Sequence, residues 1–251
     1  MTGAGQGVGR EIALRLAQHT SGGVAVNDYV LERAQQVAAE IEEAGGRAFA
    51  VQADVSDIDS VKEMVIETEA ALGTIGVLVN NAGNMGANPN PEVYKPFWET
   101  GPAVWNSAIG VNFYGVLNCV SAVVPGLIAR NAPGRIITIV SDASRYGDSG
   151  LEIYGGAKAG AAGFMRGVAR TLGRHQITAN NIAIAATETP ATAAQMKAAP
   201  ELLKKALSSY IVRRPGQPVD VANMALFLAS DASSWITGQT YPVNGGFTLS
   251  L

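Results

Sequence analysis

Tyr154 and Lys158 are four positions apart in a stretch whose apolar residues recur at helical spacing. Residues at i and i+4 lie on one face of a helix, so the phenol and the ammonium are expected to be neighbours. A nearby cation favours the phenolate, and a tyrosine with a lowered pKa can exchange a proton with an alcohol or a carbonyl oxygen. Ser141 strengthens this interpretation. It ends an apolar stretch thirteen residues earlier, so its hydroxyl would emerge at the carboxyl edge of a sheet, where ligands bind.

A glycine-rich stretch, TGAGQGVG at residues 2–9, leads directly into a second helical pattern. Glycines let the backbone approach a pyrophosphate, and the start of a helix offers free N–H groups and a positive dipole end. Asp28 ends the next apolar stretch, where a carboxylate can bind the ribose hydroxyls of an adenosine. No Arg or Lys stands in the loop before Gly9. The pattern predicts NAD, because the carboxylate would repel the 2′-phosphate of NADP.

A parallel sheet is needed to position these residues. Short apolar runs predict strands at 24–28, 48–52, 75–80, 135–141, 177–185 and 239–243. Stretches of helical period alternate with them at 10–20, 31–44, 58–72, 103–132, 154–174 and 219–229. This alternation predicts an α/β fold of Rossmann type, with a doubly wound parallel sheet and helices on both faces. No linker divides residues 1–251, so we expect a single domain, with 187–210 as a helical lid over the pocket.

Composition excludes several other functions. The net charge is −3 and no long basic stretch occurs, so nucleic acid and anionic membranes are not expected partners. We find no run of 18 apolar residues and no leader pattern, which favours a cytoplasmic protein. Cys119 is the only cysteine, and the acidic residues show no metal-ligand spacing, so neither an intramolecular disulfide nor a metal site is expected.

The order of these motifs resembles that of the short-chain dehydrogenase/reductase family. Residues 2–9 match TGxxxGxG, residues 80–83 match NNAG, and residues 154–158 match YxxxK. Further matches are Asp54-Val55, Asn112 in a VNxxG context, 213–216 (RRPG), 236–239 (ITGQ) and Gly245-Gly246. The matches run in order along the whole chain.

The resemblance implies an NAD(H)-dependent oxidoreductase that interconverts a secondary alcohol and a ketone. Tyr154 would be the acid/base, and Lys158 would hold the nicotinamide ribose and lower the tyrosine pKa. Ser141 would orient the substrate oxygen, and Asn112 would anchor a proton-relaying water. The residues expected to contact the cofactor are Gly3, Gln6, Gly7, Val8, Gly9, Asp28, Asp54, Val55, Asn81, Ala82, Gly83, Tyr154, Lys158, Thr187 and Thr189.

Arg145 and Tyr146 lie between Ser141 and Tyr154 in the sequence. We expect Ser141, Arg145 and Tyr146 to form the substrate pocket. Two alternatives stay open. Residues 141–150 resemble family members that act on cyclic or β-hydroxyacyl-CoA substrates, which favours a hydroxyacyl-thioester dehydrogenase. A non-catalytic NAD-binding regulator is the other, and it is disfavoured because the chain keeps both Tyr154 and Lys158. The resemblance further implies a homotetramer, with a homodimer as the alternative.

Two positions depart from the family pattern. Ile184-Ala185 stand where the family usually has Pro-Gly, so the loop near the nicotinamide is expected to differ in shape. In addition, only Met1 precedes the glycine motif, whereas the family's first strand lies before it. We therefore expect roughly five to eight further residues upstream, a typical strand length.

Overall fold

The computed structural model describes residues 1–20, 22–83 and 91–249, in which strands and helices alternate. The strands are β1 (Val24–Asp28), β2 (Ala48–Gln52), β3 (Val77–Asn80), β4 (Gly134–Ser141), β5 (Ile177–Ile184) and β6 (Thr240–Val243). The helices are α1 (Gly7–Ala17), α2 (Leu31–Glu43), α3 (Ile58–Leu72), α4 (Pro102–Ile109), α5 (Gly115–Ala129), α6 (Ala143–Tyr146), α7 (Glu152–Leu172), α8 (Pro190–Ala198), α9 (Pro200–Leu207) and α10 (Pro218–Ala229). Short 3₁₀ turns cover Pro91–Tyr94, Phe97–Glu99, Gly173–His175 and Asp231–Ser233.

The paired strands are parallel, as predicted. β1 pairs with β2, and β3, β4, β5 and β6 form a second group in that order. β4 and β5 are buried along almost their whole length, as expected for strands covered on both faces. Helices α3, α5 and α7 pack on one face, and α1, α2 and α10 pack on the other. The predicted doubly wound fold is confirmed.

Met1 and Thr2 lie between β1 and β3. The Met1 nitrogen donates to Ala25 O at 2.9 Å, Met1 O accepts from Asn27 N at 3.0 Å, and Thr2 N donates to Val79 O at 3.0 Å. Beside them, a cavity of about 860 Å³ separates the two strands and reaches α3 and α10. Ala4 N also donates to Asn27 O at 2.7 Å and Gly3 O accepts from Asn81 Nδ2 at 2.8 Å, so residues 1–4 join the two strand groups across this gap. The expected upstream strand stays a prediction.

The predicted helix at 103–132 is interrupted. α4 and α5 are separated by a π-helical turn, Gly110–Tyr114, and together they are long and apolar enough to cross a membrane by length and composition, with a mean hydropathy of 1.6 over an 18-residue window. The segment is not an uninterrupted apolar run, because Asn106, Asn112 and Asn118 lie within it. Cys119, Val120, Val123 and Leu127 nevertheless bury one side of α5 in the core against α3 and the sheet, which is typical of an interior helix.

Candidate active site

A cleft of about 810 Å³ runs along the carboxyl ends of β1, β3 and β4. It brings together all the predicted cofactor residues except Thr187. Those that line it are Gly3, Gln6, Gly7, Val8, Gly9, Asp28, Asp54, Val55, Asn81, Ala82, Gly83, Tyr154, Lys158 and Thr189. These residues are spread over most of the chain, and the parallel sheet gathers them because its strands all end at the same edge.

Asp28 forms one end of the cleft. Its carboxylate accepts hydrogen bonds from Gly5 N at 3.1 Å and from Val30 N at 3.0 Å, and the residue is 7% exposed. Arg33 lines the cleft beside it, and the sequence analysis did not single this residue out. Its place in the first turn of α2, directly after the strand that ends at Asp28, is the signal that could have revealed it.

The glycine loop fits an anionic group. Gly7 begins α1 with a φ of +57°, and Gln6 makes no side-chain capping bond at that helix terminus, so the first N–H groups are available to a ligand. A Cβ on Gly5 would lie 2.6 Å from the Cβ of Arg33, so a larger residue would not fit there. The loop therefore offers backbone donors at close range, as a pyrophosphate requires.

Thr189 closes the opposite wall of the cleft. It is the N-cap residue of α8 and forms a capping box with Thr192, whose Oγ1 accepts from Thr189 N at 2.9 Å. Thr187 is buried and lines a neighbouring cavity instead, with its Oγ1 donating to Ala185 O at 3.0 Å. Residues 187–210 contain two short helices, α8 and α9, as expected for this segment; their function as a lid stays a prediction.

Tyr154 and Lys158 line the other end of the cleft, and the two other predicted catalytic residues, Ser141 and Asn112, lie beside them without lining it. Tyr154 and Lys158 lie on α7, and Tyr154 is hydrogen-bonded to Ser141 at the end of β4. Lys158 Nζ donates to Ile139 O at 2.9 Å and lies 6.0 Å from the centre of the Tyr154 ring.

Asn112 lies in the π turn, fully buried, with its Nδ2 donating to Ala108 O at 2.8 Å. Gly83 packs against Asn112 and Lys158 together, because a Cβ at Gly83 would lie 2.6 Å from Lys158 Nζ and 2.8 Å from Asn112 Oδ1. A side chain at position 83 would therefore push these two polar groups apart.

Burial controls the ionisation of the pair. It raises the pKa of Tyr154 above its usual value, against a smaller opposing effect of the Ser141 hydrogen bond. It also lowers the pKa of Lys158 to about 8. The net shift of the Tyr154 pKa is upward because the loss of hydration outweighs the Ser141 hydrogen bond, and the Lys158 ammonium donates to Ile139 O. The expected lowering of the Tyr154 pKa by Lys158 stays a prediction.

In the folded structure, Arg145 and Tyr146 lie close to the C-terminal residues of the chain. The Arg145 guanidinium donates to Asp142 Oδ1 at 3.1 Å, and the Tyr146 ring lies 5.2 Å from the ring of Phe247. Neither lines the cleft described above, so their role in a substrate pocket stays a prediction. Ile184, at the departure from the family pattern, does line the cleft.

Comparison with known proteins gives matches over nearly the whole chain. Residues 3–248 match a family model described as enoyl-(acyl carrier protein) reductase. The chain is 38% identical to 3-oxoacyl-[acyl-carrier-protein] reductase FabG of Staphylococcus aureus, over 99% of this chain and 97% of that protein. It is 36% identical to 7α-hydroxysteroid dehydrogenase of Escherichia coli, over 100% and 94% of the two chains.

Solved structures agree with these matches. A 7α-hydroxysteroid dehydrogenase in complex with NADH and 7-oxo glycochenodeoxycholic acid superposes with a TM-score of 0.88 at 35% identity, over 98% of this chain and 91% of that one. A short-chain type dehydrogenase/reductase from Mycobacterium marinum gives 0.88 at 26% identity, over 100% and 94%.

Proposed function

Because this chain belongs to the short-chain dehydrogenase/reductase family, whose members are nicotinamide-dependent oxidoreductases acting on hydroxyl and carbonyl groups, we propose that it interconverts a secondary alcohol and a ketone with NAD(H). The observation that carries the proposal is a single cleft with Asp28 at one end and Tyr154 and Lys158 at the other. An NADH complex of a relative 35% identical to this chain supports the choice of cofactor.

The side chains at the catalytic end divide the chemistry between them. When bound, the nicotinamide would supply the hydride to the carbonyl carbon or remove it from the alcohol. The Tyr154 hydroxyl stays protonated because burial raises its pKa, so it can donate a proton to the carbonyl oxygen as that oxygen gains charge. Ser141 is hydrogen-bonded to Tyr154 and would orient the same oxygen. Lys158, still cationic at neutral pH, would stabilise the phenolate that remains.

Replacing the proton donor tests the proposal. Tyr154→Phe removes the hydroxyl and keeps the ring, so we expect kcat/KM for a ketone to fall by ~10²–10⁴-fold, with NADH affinity unchanged. Tyr114→Phe is the matched control, because Tyr114 is exposed and lies outside the cleft. Turnover is followed by NADH absorbance across a panel of ketones. A Tyr154→Phe enzyme that keeps more than about a tenth of the activity would refute the assignment.

Asp28 supports NADH over NADPH. The backbone N–H groups of Gly5 and Val30 hold its carboxylate in the cleft, where a 2′-phosphate would meet a like charge. A contact of this kind costs about 4 kcal/mol near a protein surface, and Arg33 beside it reduces the effect. We expect kcat/KM to favour NADH by ~100-fold, and Asp28→Ala to remove most of this preference.

Glu32→Ala is the matched control for that comparison. It removes a carboxylate from the first turn of α2 that does not line the cleft, so the cofactor preference should stay as in the wild type. A wild-type preference for NADPH would contradict the proposed role of Asp28.

A hydroxyacyl or oxoacyl thioester is the second candidate substrate. The specific observation is the 38% identity to 3-oxoacyl-[acyl-carrier-protein] reductase over nearly the whole chain, together with the matching family model. Comparing a 3-oxoacyl pantetheine thioester with the methyl ketone of the same chain length distinguishes the two. A kcat/KM at least tenfold higher for the thioester would favour this candidate.

A further inference from the structure

Asp142 directly follows Ser141 and is only 1% exposed. Its backbone N–H donates to Ile184 O at 2.9 Å. Its Oδ1 accepts from Arg145, and its Oδ2 accepts from Asn244 Nδ2 and from Thr248 Oγ1, the latter at 3.0 Å. A buried carboxylate is costly unless it is well hydrogen-bonded. Here Arg145 compensates one oxygen, and the compensation of the other comes from residues about a hundred positions further along the chain.

The residues that provide it form the C-terminal segment, defined here as residues 244–248. The segment folds on itself, because Asn244 Oδ1 accepts from Gly246 N at 2.9 Å and Asn244 Nδ2 donates to Thr248 O at 3.0 Å. Asn244 is 9% exposed. One amide side chain therefore holds the turn together and also donates to the Asp142 carboxylate.

Aromatic contacts attach the C-terminal segment to a second loop at the site. The Phe247 ring stacks on the Tyr210 ring at 4.9 Å and contacts the Tyr146 ring at 5.2 Å. The Tyr210 hydroxyl accepts from Ala186 N at 3.1 Å, directly before Thr187. The segment thus contacts the loop that follows Ser141 directly and is connected to the loop that follows β5 through Tyr210.

We propose that Asp142 is a positioning residue for the reaction. Its carboxylate fixes the C-terminal segment against the loop after Ser141, and this holds in place the loop whose Ala143 N donates to the Ser141 hydroxyl at 3.2 Å. Asp142 acts through Ser141 and touches neither substrate nor cofactor. The kinetic part of this proposal rests on the function proposed above for Ser141.

Asp142→Asn tests the proposal with little change in shape. Both oxygens of the Asp142 carboxylate accept hydrogen bonds. The amide nitrogen that replaces one of them is itself a donor and would face a donor of Arg145, Asn244 or Thr248, so at least one hydrogen bond is lost. We expect KM for the ketone to rise at least fivefold and kcat to fall about tenfold, with NADH bound at full stoichiometry and unchanged Kd. Hydrogen exchange of the Gly246 and Phe247 amides, measured by mass spectrometry, should accelerate at least tenfold.

Asp59→Asn is the matched control. It neutralises an exposed carboxylate in the first turn of α3 that does not line the cleft, so KM, kcat and exchange should stay close to wild type. If Asp142→Asn folds poorly, Thr248→Val replaces it, since it removes one donor to Asp142 at nearly constant volume. The same shifts are then expected at two- to fivefold.

A purely structural role predicts a different result. Loss of folded enzyme lowers apparent kcat and NADH stoichiometry together and leaves KM unchanged, and that outcome would overturn the proposal. Wild-type exchange in the C-terminal segment of Asp142→Asn would overturn it as well. An inactive wild-type enzyme with accelerated exchange in the variant would instead refute the proposed function and leave the link between Asp142 and the segment supported.

Discussion

The gap between β1 and β3 predicts that an apolar segment fused in front of Met1 stabilises the protein. Val24 N donates to Arg47 O, so the hydrogen-bonding groups of Val24 face β2. Gly76 O accepts from Arg135 N, so the hydrogen-bonding groups of Gly76 face β4. In a parallel strand the hydrogen-bonding groups alternate from side to side, so Ala25, Val77 and Val79 face the gap. The first added residue would donate to Val77 O and accept from Val79 N, and the second would accept from Ala25 N.

The size of the effect follows from these three bonds. Ordering each added residue costs about 1–2 kcal/mol, and burying a Val or Ile side chain in the cavity of about 860 Å³ offsets this with about 1.5–3 kcal/mol. The hydrogen bonds remain, at about 1 kcal/mol each, so the free energy of unfolding should rise by about 3 kcal/mol. For a chain of this size that corresponds to an increase in Tm of about 6–12 °C.

Thermal denaturation of two fusions measures this increase. The test fusion carries five alternating Val and Ile residues, and the control carries five Gly and Ser residues, which can occupy the gap but bury little apolar surface. Circular dichroism at several scan rates gives Tm for both. If the apolar fusion melts within about 2 °C of the control, the gap does not accept a strand and the description of the sheet given above fails.

Two further predictions concern charge and assembly. The pKa of Lys158 is lowered to about 8 from 10.5 by burial, so between these values the unfolded chain binds more protons and wild-type stability rises with pH. Lys158→Met should therefore exceed the wild type in unfolding free energy by up to about 3 kcal/mol below pH 8, and the difference should vanish towards pH 10.5. Urea denaturation at several pH values measures this difference. The exposed Lys62→Met is the control, for which the difference from the wild type should not change with pH. We also propose a homotetramer, consistent with the exposed Tyr114 at the end of the π turn and with Trp235, which is 99% exposed. Light scattering should give about four times 26.0 kDa, and a monomer mass would contradict it.

The strands could be predicted from the sequence because buried parallel strands are short continuous apolar runs. The predicted bounds of β1 and β2 coincide with those in the structure. The starts of α2 and α3 also coincide with the prediction. α1 begins at Gly7 and α7 at Glu152, three and two residues before the predicted starts, since glycine and acidic residues at a helix start carry no apolar signal.

The candidate site was predictable where chemistry and spacing are local. Tyr154 and Lys158 are one helical turn apart, and Asp28 ends a recognisable strand. The hydrogen bond between Asp142 and Thr248 joins residues 106 positions apart, and no local pattern carries that information. The direction of the Tyr154 pKa shift was missed for a related reason, because it depends on how deeply the tertiary fold buries the ring.

The π turn at Gly110–Tyr114 makes the length of its helix as important as its composition. Each residue of an α-helix rotates the chain by about 100°, so a π turn accommodates an added residue without rotating the helix that follows. Deleting one residue of this turn would restore regular α-helix and leave Cys119, Val120 and Leu127 facing the core, but it would remove the widened turn that holds Asn112. A gap of one position there would change the placement of Asn112 while sparing the core, so insertions or deletions at this point are a sensitive marker of whether a related sequence can place Asn112 in the same way.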